Sequence, residues 1–206
     1  MTQQKARIAV LVSGGGTNLQ AILDAQASGI IKSGEVRLVI SSSPSAYALE
    51  RAKNAGVEAV AVSKKACGSQ ESFEKKISEE LEKHGIELIV LAGFLSILSA
   101  DFTSRWPKRI LNIHPSLIPS FCGEGFYGLR VHEAALEKGV KVTGATVHYV
   151  TEIPDGGQIL MQKAVEVREG DTPQILQRRV MEEAEWILLP KAVEQVSSRI
   201  LKERNE

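Results

Sequence analysis

The sequence lacks the features that define several classes of protein. Only two of its 206 residues are cysteines, Cys67 and Cys122, and neither belongs to a CxxC pair or a Cys/His cluster. A disulfide framework and a zinc site are therefore not expected, and we interpret both cysteines as reduced thiols. The 25 basic residues balance the 25 acidic ones, so no charged surface for nucleic acid or an acidic membrane is expected.

Long apolar runs are also absent. Residues 1–5 lead into an apolar run at residues 8–12, which glycines follow at once. This run is too short for a membrane span or a secretion signal, which favours a cytoplasmic location. A chain of 206 residues fits one α/β domain, in which about 70% of the unfolded chain's surface is buried.

Short apolar segments alternate with amphipathic stretches in the first half of the chain. The segments span residues 8–12, 36–40, 57–62 and 86–92, as is typical of parallel strands that are buried on both faces. Apolar residues at helical spacing lie between them: Leu19, Ile22 and Leu23, then Leu49 and Ala52, then Phe73, Ile77 and Leu81. This alternation predicts an α/β fold with a doubly wound, mostly parallel sheet between two layers of helices.

The second half adds three strands, so that seven are expected. Strands are predicted at residues 109–116, 141–150 and 158–167, helices at 99–106, 131–138 and 173–201, and a long functional loop at 115–130. Gly139 should end the second of these helices, and Pro190 should kink or divide the last. We expect a single domain over residues 1–206, with a Rossmann-like half to about residue 110 and a second half from about residue 111.

Asn112 and His114 alternate with apolar residues up to Pro115. Because strand side chains project to one face at every second residue, the amide and the imidazole should point the same way. Taken alone, an Asn-x-His pair more often has a structural role, in which the neighbouring amide provides a hydrogen bond to a buried histidine. The pair becomes a catalytic candidate only if other site residues join it.

The segment SGGGTNLQ, residues 13–20, follows the first strand and opens the first helix. Glycines allow a ligand to approach the backbone, and helix N-terminal N–H groups attract anions. A phosphate is therefore predicted on Gly16, Thr17 and Asn18, with a glycine turn needed only for packing as the alternative. No Gly-Lys-Ser/Thr sequence and no acidic residue after the second strand is present, which favours a small phosphorylated substrate over ATP or NAD.

Two further segments have the composition of site elements. Asp155 is fixed between Pro154 and Gly156; a carboxylate near His114 would favour the protonated imidazole, while an Asn amide could donate to an oxyanion. An amide, an imidazole and a carboxylate suit acyl transfer without a covalent intermediate. The sequence has no Gly-x-Ser-x-Gly motif, which would place a serine nucleophile. Residues 91–98, at the end of the fourth strand, could hold a flat heterocycle, although ordinary core is the alternative.

The motifs SGGGTNLQ, LAGFLSILS, LNIHPSLIP and PDGG occur in this order over nearly the whole chain. Together they resemble the glycinamide ribonucleotide formyltransferases, which are folate-dependent enzymes of purine biosynthesis. The resemblance implies the formyltransferase fold and transfer of a formyl group from the co-substrate 10-formyltetrahydrofolate to the amine of glycinamide ribonucleotide. It also implies small-molecule substrates, a monomer or homodimer, and no need for a metal, nucleic acid or membrane.

The resemblance assigns roles to individual residues. Asn112, His114 and Asp155 match the family's catalytic trio, in which Asp155 would raise the pKa of His114. Gly16, Thr17 and Asn18 would hold the ribonucleotide's phosphate, and Glu185 would help to hold the rest of that substrate. The folate pocket would be formed by Leu95, Ser96, Ile97, Leu98, Asn112, Thr151, Glu152, Ile153, Pro154 and Asp155.

Other residues receive weaker assignments. His148 lies close to the PDGG turn and could support the site, whereas His84 and His132 are interpreted as surface residues near helix ends. Gln70 and Ser96 stand where several relatives have arginine, which leaves recognition of the folate's glutamate tail open. Alternative functions are a 10-formyltetrahydrofolate hydrolase, a formyltransferase for another amine such as a charged tRNA, and a non-catalytic module that binds phosphorylated metabolites. An intact trio argues against the last of these.

Overall fold

Seven strands form one sheet in the computed structural model, which describes residues 5–204. The strands are β1 Ala6–Val12, β2 Gly34–Ser41, β3 Glu58–Ala61, β4 Leu88–Leu91, β5 Ile110–His114, β6 Val142–Tyr149 and β7 Ile159–Glu166. The α-helices are α1 Thr17–Ala27, α2 Ala48–Asn54, α3 Lys64–Cys67, α4 Gln70–Lys83, α5 Ala100–Ser104, α6 Leu129–Lys138, α7 Pro173–Val180 and α8 Trp186–Glu203. The prediction that no secretion signal is present depends in part on residues 1–4, which lie outside the described residues.

The strand order is β3-β2-β1-β4-β5-β6-β7. Pairing is parallel from β3 through β5, while β6 is antiparallel to both β5 and β7. The predicted doubly wound, mostly parallel sheet is therefore confirmed. Because the chain order reverses beside β1, a crevice opens at the carboxyl ends of β1 and β4, the usual place for a ligand in such sheets.

Side chains of the central strand β1 alternate between two apolar clusters. Ile8, Val10 and Val12 belong to the cluster on one face, whereas Ala9 and Leu11 belong to the cluster on the other. Helices α1 and α8 cover the first face with Leu19, Ile22, Leu189 and Val193, and α4 and α5 cover the second with Phe73, Ile77 and Phe102. A sheet that is buried on both faces explains why its inner strands read as continuous apolar runs.

Local capping signals fix several helix ends. The Ser69 side chain accepts a hydrogen bond from the Ser72 N–H at the start of α4, and Thr172 does the same for Ile175 N–H at the start of α7. Both are common N-cap residues. Gly139 has a left-handed backbone (φ 73°) and ends α6, as expected for a glycine at this position.

The C-terminal helical region is interrupted, but not at Pro190. Five residues, Met181–Glu185, form a π-helical turn between α7 and α8, and Pro190 lies inside α8. Of the two predicted effects of Pro190, division of the helix is therefore wrong, and a kink stays a prediction. A proline ring crowds the carbonyl four residues earlier, here that of Trp186, which directly follows the π turn. The irregularity consequently lies N-terminal to the proline.

The state of the two cysteines and the character of the helices can be compared with the expectations from composition. Cys67 and Cys122 are free and half-buried, which agrees with their interpretation as thiols. Of the helices within residues 5–204, none combines the length and apolar character that crossing a bilayer requires.

Candidate active site

The loop between β1 and α1 presents open backbone at the sheet's carboxyl edge. Gly16 has φ 73° and is the N-cap of α1, and a Cβ on it would lie 2.7 Å from the Ala48 Cβ. Gly14 and Gly15, by contrast, would place a Cβ with nothing within 4 Å. Arg51 anchors this loop from α2 by donating from Nε to the Gly15 carbonyl at 2.8 Å. The first turn of α1 is thus accessible to an anion.

Glu185 reaches this loop from the π turn. Its Oε2 accepts a hydrogen bond of 2.7 Å from Asn18 Nδ2, and only 6% of the residue is exposed. Burial raises the pKa of Glu185 to about 7, although the hydrogen bond from Asn18 opposes this shift. Thr17 Oγ1 lies 3.8 Å from Met181 Sδ, at the other end of the same turn. The structure thereby brings Glu185 next to the predicted phosphate loop.

Asn112 and His114 lie on the same face of β5, as predicted. In the β5–β6 register they are opposite His148 and Thr146, respectively. His114 is 4% exposed and Asn112 is half-buried. Both side chains reach the same partner, Asp155, which projects from the loop between β6 and β7.

The Asp155 carboxylate is the point at which the candidate site converges. Oδ1 lies 3.4 Å from Asn112 Nδ2 and 3.3 Å from His148 Nε2. Oδ2 lies 3.4 Å from His114 Nδ1 and accepts a 2.9 Å hydrogen bond from the Gly123 N–H. Asp155 has a left-handed backbone, with φ 54°, a conformation that aspartate tolerates better than most residues. The 3.3–3.4 Å separations are long for hydrogen bonds, so these side chains face one another without being locked together.

His148 orients the Asn112 amide. Its Nδ1 lies 2.9 Å from the Tyr149 carbonyl, which can only accept, so Nδ1 carries the proton. Nε2 lies 3.1 Å from Asn112 Nδ2 and 3.3 Å from Asp155 Oδ1; without a proton it accepts from the amide, and with a proton it donates to the carboxylate. When Nε2 accepts, one amide hydrogen of Asn112 is engaged by His148, and the second points towards Asp155 over the weaker 3.4 Å contact. That second hydrogen is available for a reacting oxygen.

The charges of the trio differ from the expectation. Burial would raise the pKa of Asp155, but contacts from His148, His114 and the Gly123 N–H outweigh it, and the net shift is downward. For His114, burial lowers the pKa, and the attraction of Asp155 and the Phe121 carbonyl compensates only in part. Asp155 thus acts on the pKa of His114 in the expected direction, but burial of the ring outweighs this attraction and the net pKa is lowered. At neutral pH, Asp155 is ionised and His114 is neutral.

A protein-family model described as formyl transferase matches residues 6–193. The chain belongs to the formyl transferase family. The trifunctional purine biosynthetic protein adenosine-3 of Homo sapiens is 42% identical over 196 residues, which are 95% of this chain and 19% of that protein. This chain therefore spans about a fifth of the length of that relative.

Single-function relatives match over more of their own length. The phosphoribosylglycinamide formyltransferase of Escherichia coli (strain K12) is 42% identical over 173 residues, 84% of this chain and 79% of that protein. Among solved structures, glycinamide ribonucleotide transformylase 1 from Symbiobacterium toebii superposes with a TM-score of 0.88 at 45% identity. The match covers 95% of this chain and 89% of that one.

An apolar wall lies beside the predicted phosphate loop of this chain. Leu95, Ile97 and Ile153 are 64%, 60% and 61% exposed, a high exposure for large apolar side chains. The Ser13 hydroxyl accepts from the Leu95 N–H at 2.9 Å and so joins the wall to the loop. Leu98 is only 4% exposed and packs in the core. Ser96 is half-buried, and residues 151–154 are exposed.

Gln70 has a structural role beside the wall. Its Nε2 donates to the Ile97 carbonyl at 3.0 Å and to Glu74 Oε1 at 2.5 Å. Glu74, which is 5% exposed, in turn accepts from the backbone N–H and the hydroxyl of Ser99. Gln70 therefore ties α4 to the segment that carries the wall.

Sequence reasoning missed two backbone groups of the site. The Phe121 carbonyl accepts from His114 Nε2 at 2.8 Å, and the Gly123 N–H donates to Asp155. Side-chain identity gives no signal for either, because every residue has a carbonyl. Phe121 has φ 50°, a left-handed conformation that is uncommon for an aromatic residue and often marks functional sites.

The interpretation of His132 as a surface residue is wrong. His132 is 0% exposed, and neither ring nitrogen has a hydrogen-bond partner. Helix α6 begins at Leu129, which turns His132 inward together with Val131 and Ala135. Burial lowers the pKa of His132 to about 4, with a smaller contribution from His114. His84 is half-buried, and its Nε2 lies 3.1 Å from Glu58 Oε2.

Metal ligation is not apparent in the described structure. Within residues 5–204 no group of three or more His, Cys, Asp or Glu side chains is arranged to hold a metal ion.

Proposed function

We propose that this chain transfers a formyl group from 10-formyltetrahydrofolate to the amine of glycinamide ribonucleotide. The observation that carries the proposal is the convergence of Asn112 and His114 on Asp155, within 3.4 Å, at the edge where the phosphate loop and the apolar wall meet. The names of the relatives support the same reaction. The trio has proton donors and acceptors but no hydroxyl or thiol nucleophile, which suits direct transfer.

Asn112 acts on the charge that develops when the amine attacks the formyl carbon. The carbonyl oxygen becomes an oxyanion, and the second hydrogen of Asn112 Nδ2 leaves its weak contact with Asp155 to stabilise it. A donor in a fixed, partly buried position needs little reorganisation at that moment. His148 holds the amide in this orientation.

His114 and Asp155 move one proton. The attacking nitrogen loses a proton as its bond to carbon forms, and the leaving folate nitrogen gains one as its bond to carbon breaks. Ionised Asp155 accepts the first proton, directly or through water, and neutral His114 can share it through Nδ1. Since both ring nitrogens of His114 face acceptors, the imidazolium that forms is fully hydrogen-bonded and can deliver its proton to the leaving nitrogen.

The substrates are assigned to the two surfaces beside the trio. Backbone groups at Gly16, Thr17 and Asn18 bind the ribonucleotide's phosphate, and Glu185 contacts the rest of that molecule. Asn112 and Asp155 adjoin the folate as well as catalysing its reaction. The other residues assigned to the folate are Leu95, Ser96, Ile97, Leu98, Thr151, Glu152, Ile153 and Pro154. A cytoplasmic location and a monomeric or homodimeric state stay predictions.

A formyl-transfer assay tests the proposal with glycinamide ribonucleotide present and then omitted. We expect formylated ribonucleotide and tetrahydrofolate in equal amounts when the amine is present, and negligible loss of 10-formyltetrahydrofolate without it. Release of formate in the absence of the amine would favour a hydrolase. Binding of both molecules without turnover would favour the non-catalytic module.

A further inference from the structure

Three side chains form a row across the antiparallel part of the sheet. His114 on β5 pairs in register with Thr146 on β6, and Thr146 pairs with Gln162 on β7. Directly opposed residues of antiparallel strands project to the same face. The row therefore links a residue of the proposed trio to two residues outside it, and the start of the 115–128 loop lies over this row.

The Thr146 hydroxyl is the central point of contact between the row and the loop. It donates to the Ser116 carbonyl at 2.6 Å and accepts from the Ile118 N–H at 3.1 Å and from Gln162 Nε2 at 3.0 Å. A hydroxyl has one donor and two acceptor sites, so its capacity is filled. Thr146 is fully buried, and this geometry fixes the loop backbone beside His114.

Gln162 completes the attachment from the sheet's edge strand. The same Nε2 that donates to Thr146 also donates to the Ile118 carbonyl at 3.0 Å. Both hydrogens of the amide are thus used to hold one short stretch of loop. Gln162 itself is exposed, and its side-chain hydrogen bonds go to Ile118 and Thr146 and not to the proposed trio.

The held stretch leads directly to the two backbone groups of the site. Ser116 Oγ donates to the Ser120 carbonyl at 2.5 Å, which closes the turn before Phe121. Phe121 then accepts from His114, and Gly123 donates to Asp155, at 2.8 Å and 2.9 Å. Two residues of the loop thus contact the trio, one at His114 and the other at Asp155.

We propose that Gln162 is a positioning residue, which fixes the orientation of the His114 ring through the loop from Ser116 to Gly123. The proposal rests on the proposed function for its effect on turnover, but not for its effect on the ring. Without the Gln162 amide, Ile118 loses one partner and Thr146 another, so the loop carbonyl at Phe121 is held less firmly. A ring that spends less time in the productive orientation lowers kcat and leaves substrate affinity largely unchanged.

The test uses the Gln162→Leu variant, with Lys163→Leu as the matched control. Lys163 is the next residue on β7, is likewise exposed, and points to the opposite face of the sheet. We expect kcat to fall about tenfold in Gln162→Leu, the effect of losing two hydrogen bonds of ordinary strength. KM for both substrates should stay within about twofold of that of the unchanged chain, and Lys163→Leu should match the unchanged chain.

Nitrogen-15 NMR of the imidazole provides a readout that a merely structural role would not move. The His114 ring signals should shift or broaden in Gln162→Leu and in the isosteric Gln162→Glu, which also lacks the donor amide. Unchanged ring signals, or a kcat like that of the control, would overturn the proposal. If the unchanged chain shows no formyl transfer but the ring signals still respond to Gln162, the positioning role stands and the proposed function fails.

Discussion

Asp155 and His114 face each other across 3.4 Å, from Oδ2 to Nδ1. The contact joins a carboxylate whose pKa is lowered to an imidazole whose pKa is also lowered. One member is thus ionised and the other neutral at neutral pH. If His114 takes up a proton during the reaction, it forms an ion pair with Asp155 that does not exist before the reaction begins. The attraction between the two side chains then stabilises the protonated state of His114 only as the reaction proceeds.

Replacing Asp155 with Asn should show how much of the role of Asp155 depends on its negative charge and how much on the shape of its side chain. The amide keeps the size of the side chain but removes the attraction that partly offsets burial at His114, so the pKa of His114 should fall further. Loss of this proton acceptor should lower kcat by roughly 10²- to 10⁴-fold. Steady-state kinetics and an NMR titration of His114 measure the two effects. A kcat within a factor of a few of the unchanged chain would contradict the assignment.

Asn112→Ala should remove the oxyanion donor. We expect normal folding and a kcat lower by roughly 10²- to 10³-fold, the usual loss for one such donor. Circular dichroism and thermal unfolding check the fold, and single-turnover kinetics check the chemical step. Near-normal turnover would show that the oxyanion is stabilised elsewhere.

Two of the three glycines in the predicted phosphate loop, Gly15 and Gly16, should respond differently to an added methyl group. In Gly15→Ala the Cβ meets nothing within 4 Å, so stability should be unchanged while KM for the ribonucleotide rises. In Gly16→Ala the Cβ would lie 2.7 Å from Ala48, at φ 73°, and the protein should be destabilised by about 1 kcal/mol or more. Urea unfolding and KM distinguish the variants. An unchanged KM in Gly15→Ala would argue against a phosphate at this loop.

Glu185→Gln should raise stability at alkaline pH and weaken substrate binding. Because the folded-state pKa is raised to about 7 from 4.5, the folded chain holds a proton that the unfolded chain releases between these values. Stability therefore falls as pH rises through this window, at a cost of about 3 kcal/mol above it. Urea unfolding at pH 5 and pH 8 should show the gain only at pH 8, accompanied by a higher KM for the ribonucleotide. Equal gains at both pH values would exclude this electrostatic cause.

His132→Leu should reduce the sensitivity of the fold to acid. The folded-state pKa is lowered from 6.5 to about 4, so below pH 6.5 the unfolded chain binds a proton that the folded chain does not. Stability is fully present above pH 6.5 and is lost as pH falls towards 4, by about 3 kcal/mol. The variant should lose less over the same range in urea unfolding. An acid slope equal to that of the unchanged chain would refute this origin.

The sequence predicted the elements whose signals are local and repeated. Apolar runs located the strands because both faces of the sheet are covered, and period-two alternation placed Asn112 and His114 on one face. Glycines marked the turn after β1, and Pro154 and Gly156 marked the turn that carries Asp155. Each of these signals depends on residue type within a few positions, so tertiary contacts were not needed to interpret them.

Features that depend on distant contacts could not be predicted. The lowered pKa of His114 follows from how completely it is buried, and the hydrogen bonds at Phe121 and Gly123 use backbone groups that every residue has. His132 faces inward because α6 begins at Leu129, one turn of helix earlier than His132 itself. The π turn at Met181–Glu185 has no residue-type signature that would have separated it from the α-helices beside it.

In the π turn, the direction of the Glu185 side chain depends on the number of residues that precede it. A π turn accommodates more residues per turn than an α-helix. Deleting one residue between Val180 and Glu185 would leave too few residues for the π turn and restore regular α-helical winding, which would change the directions of the side chains within the turn. Either the carboxylate would leave Asn18, or α7 would lose its packing register. Substitutions in this segment should therefore be tolerated far better than insertions or deletions. Among functional sequences, the number of residues between the π turn and Pro190 should vary less than the residue types within the turn.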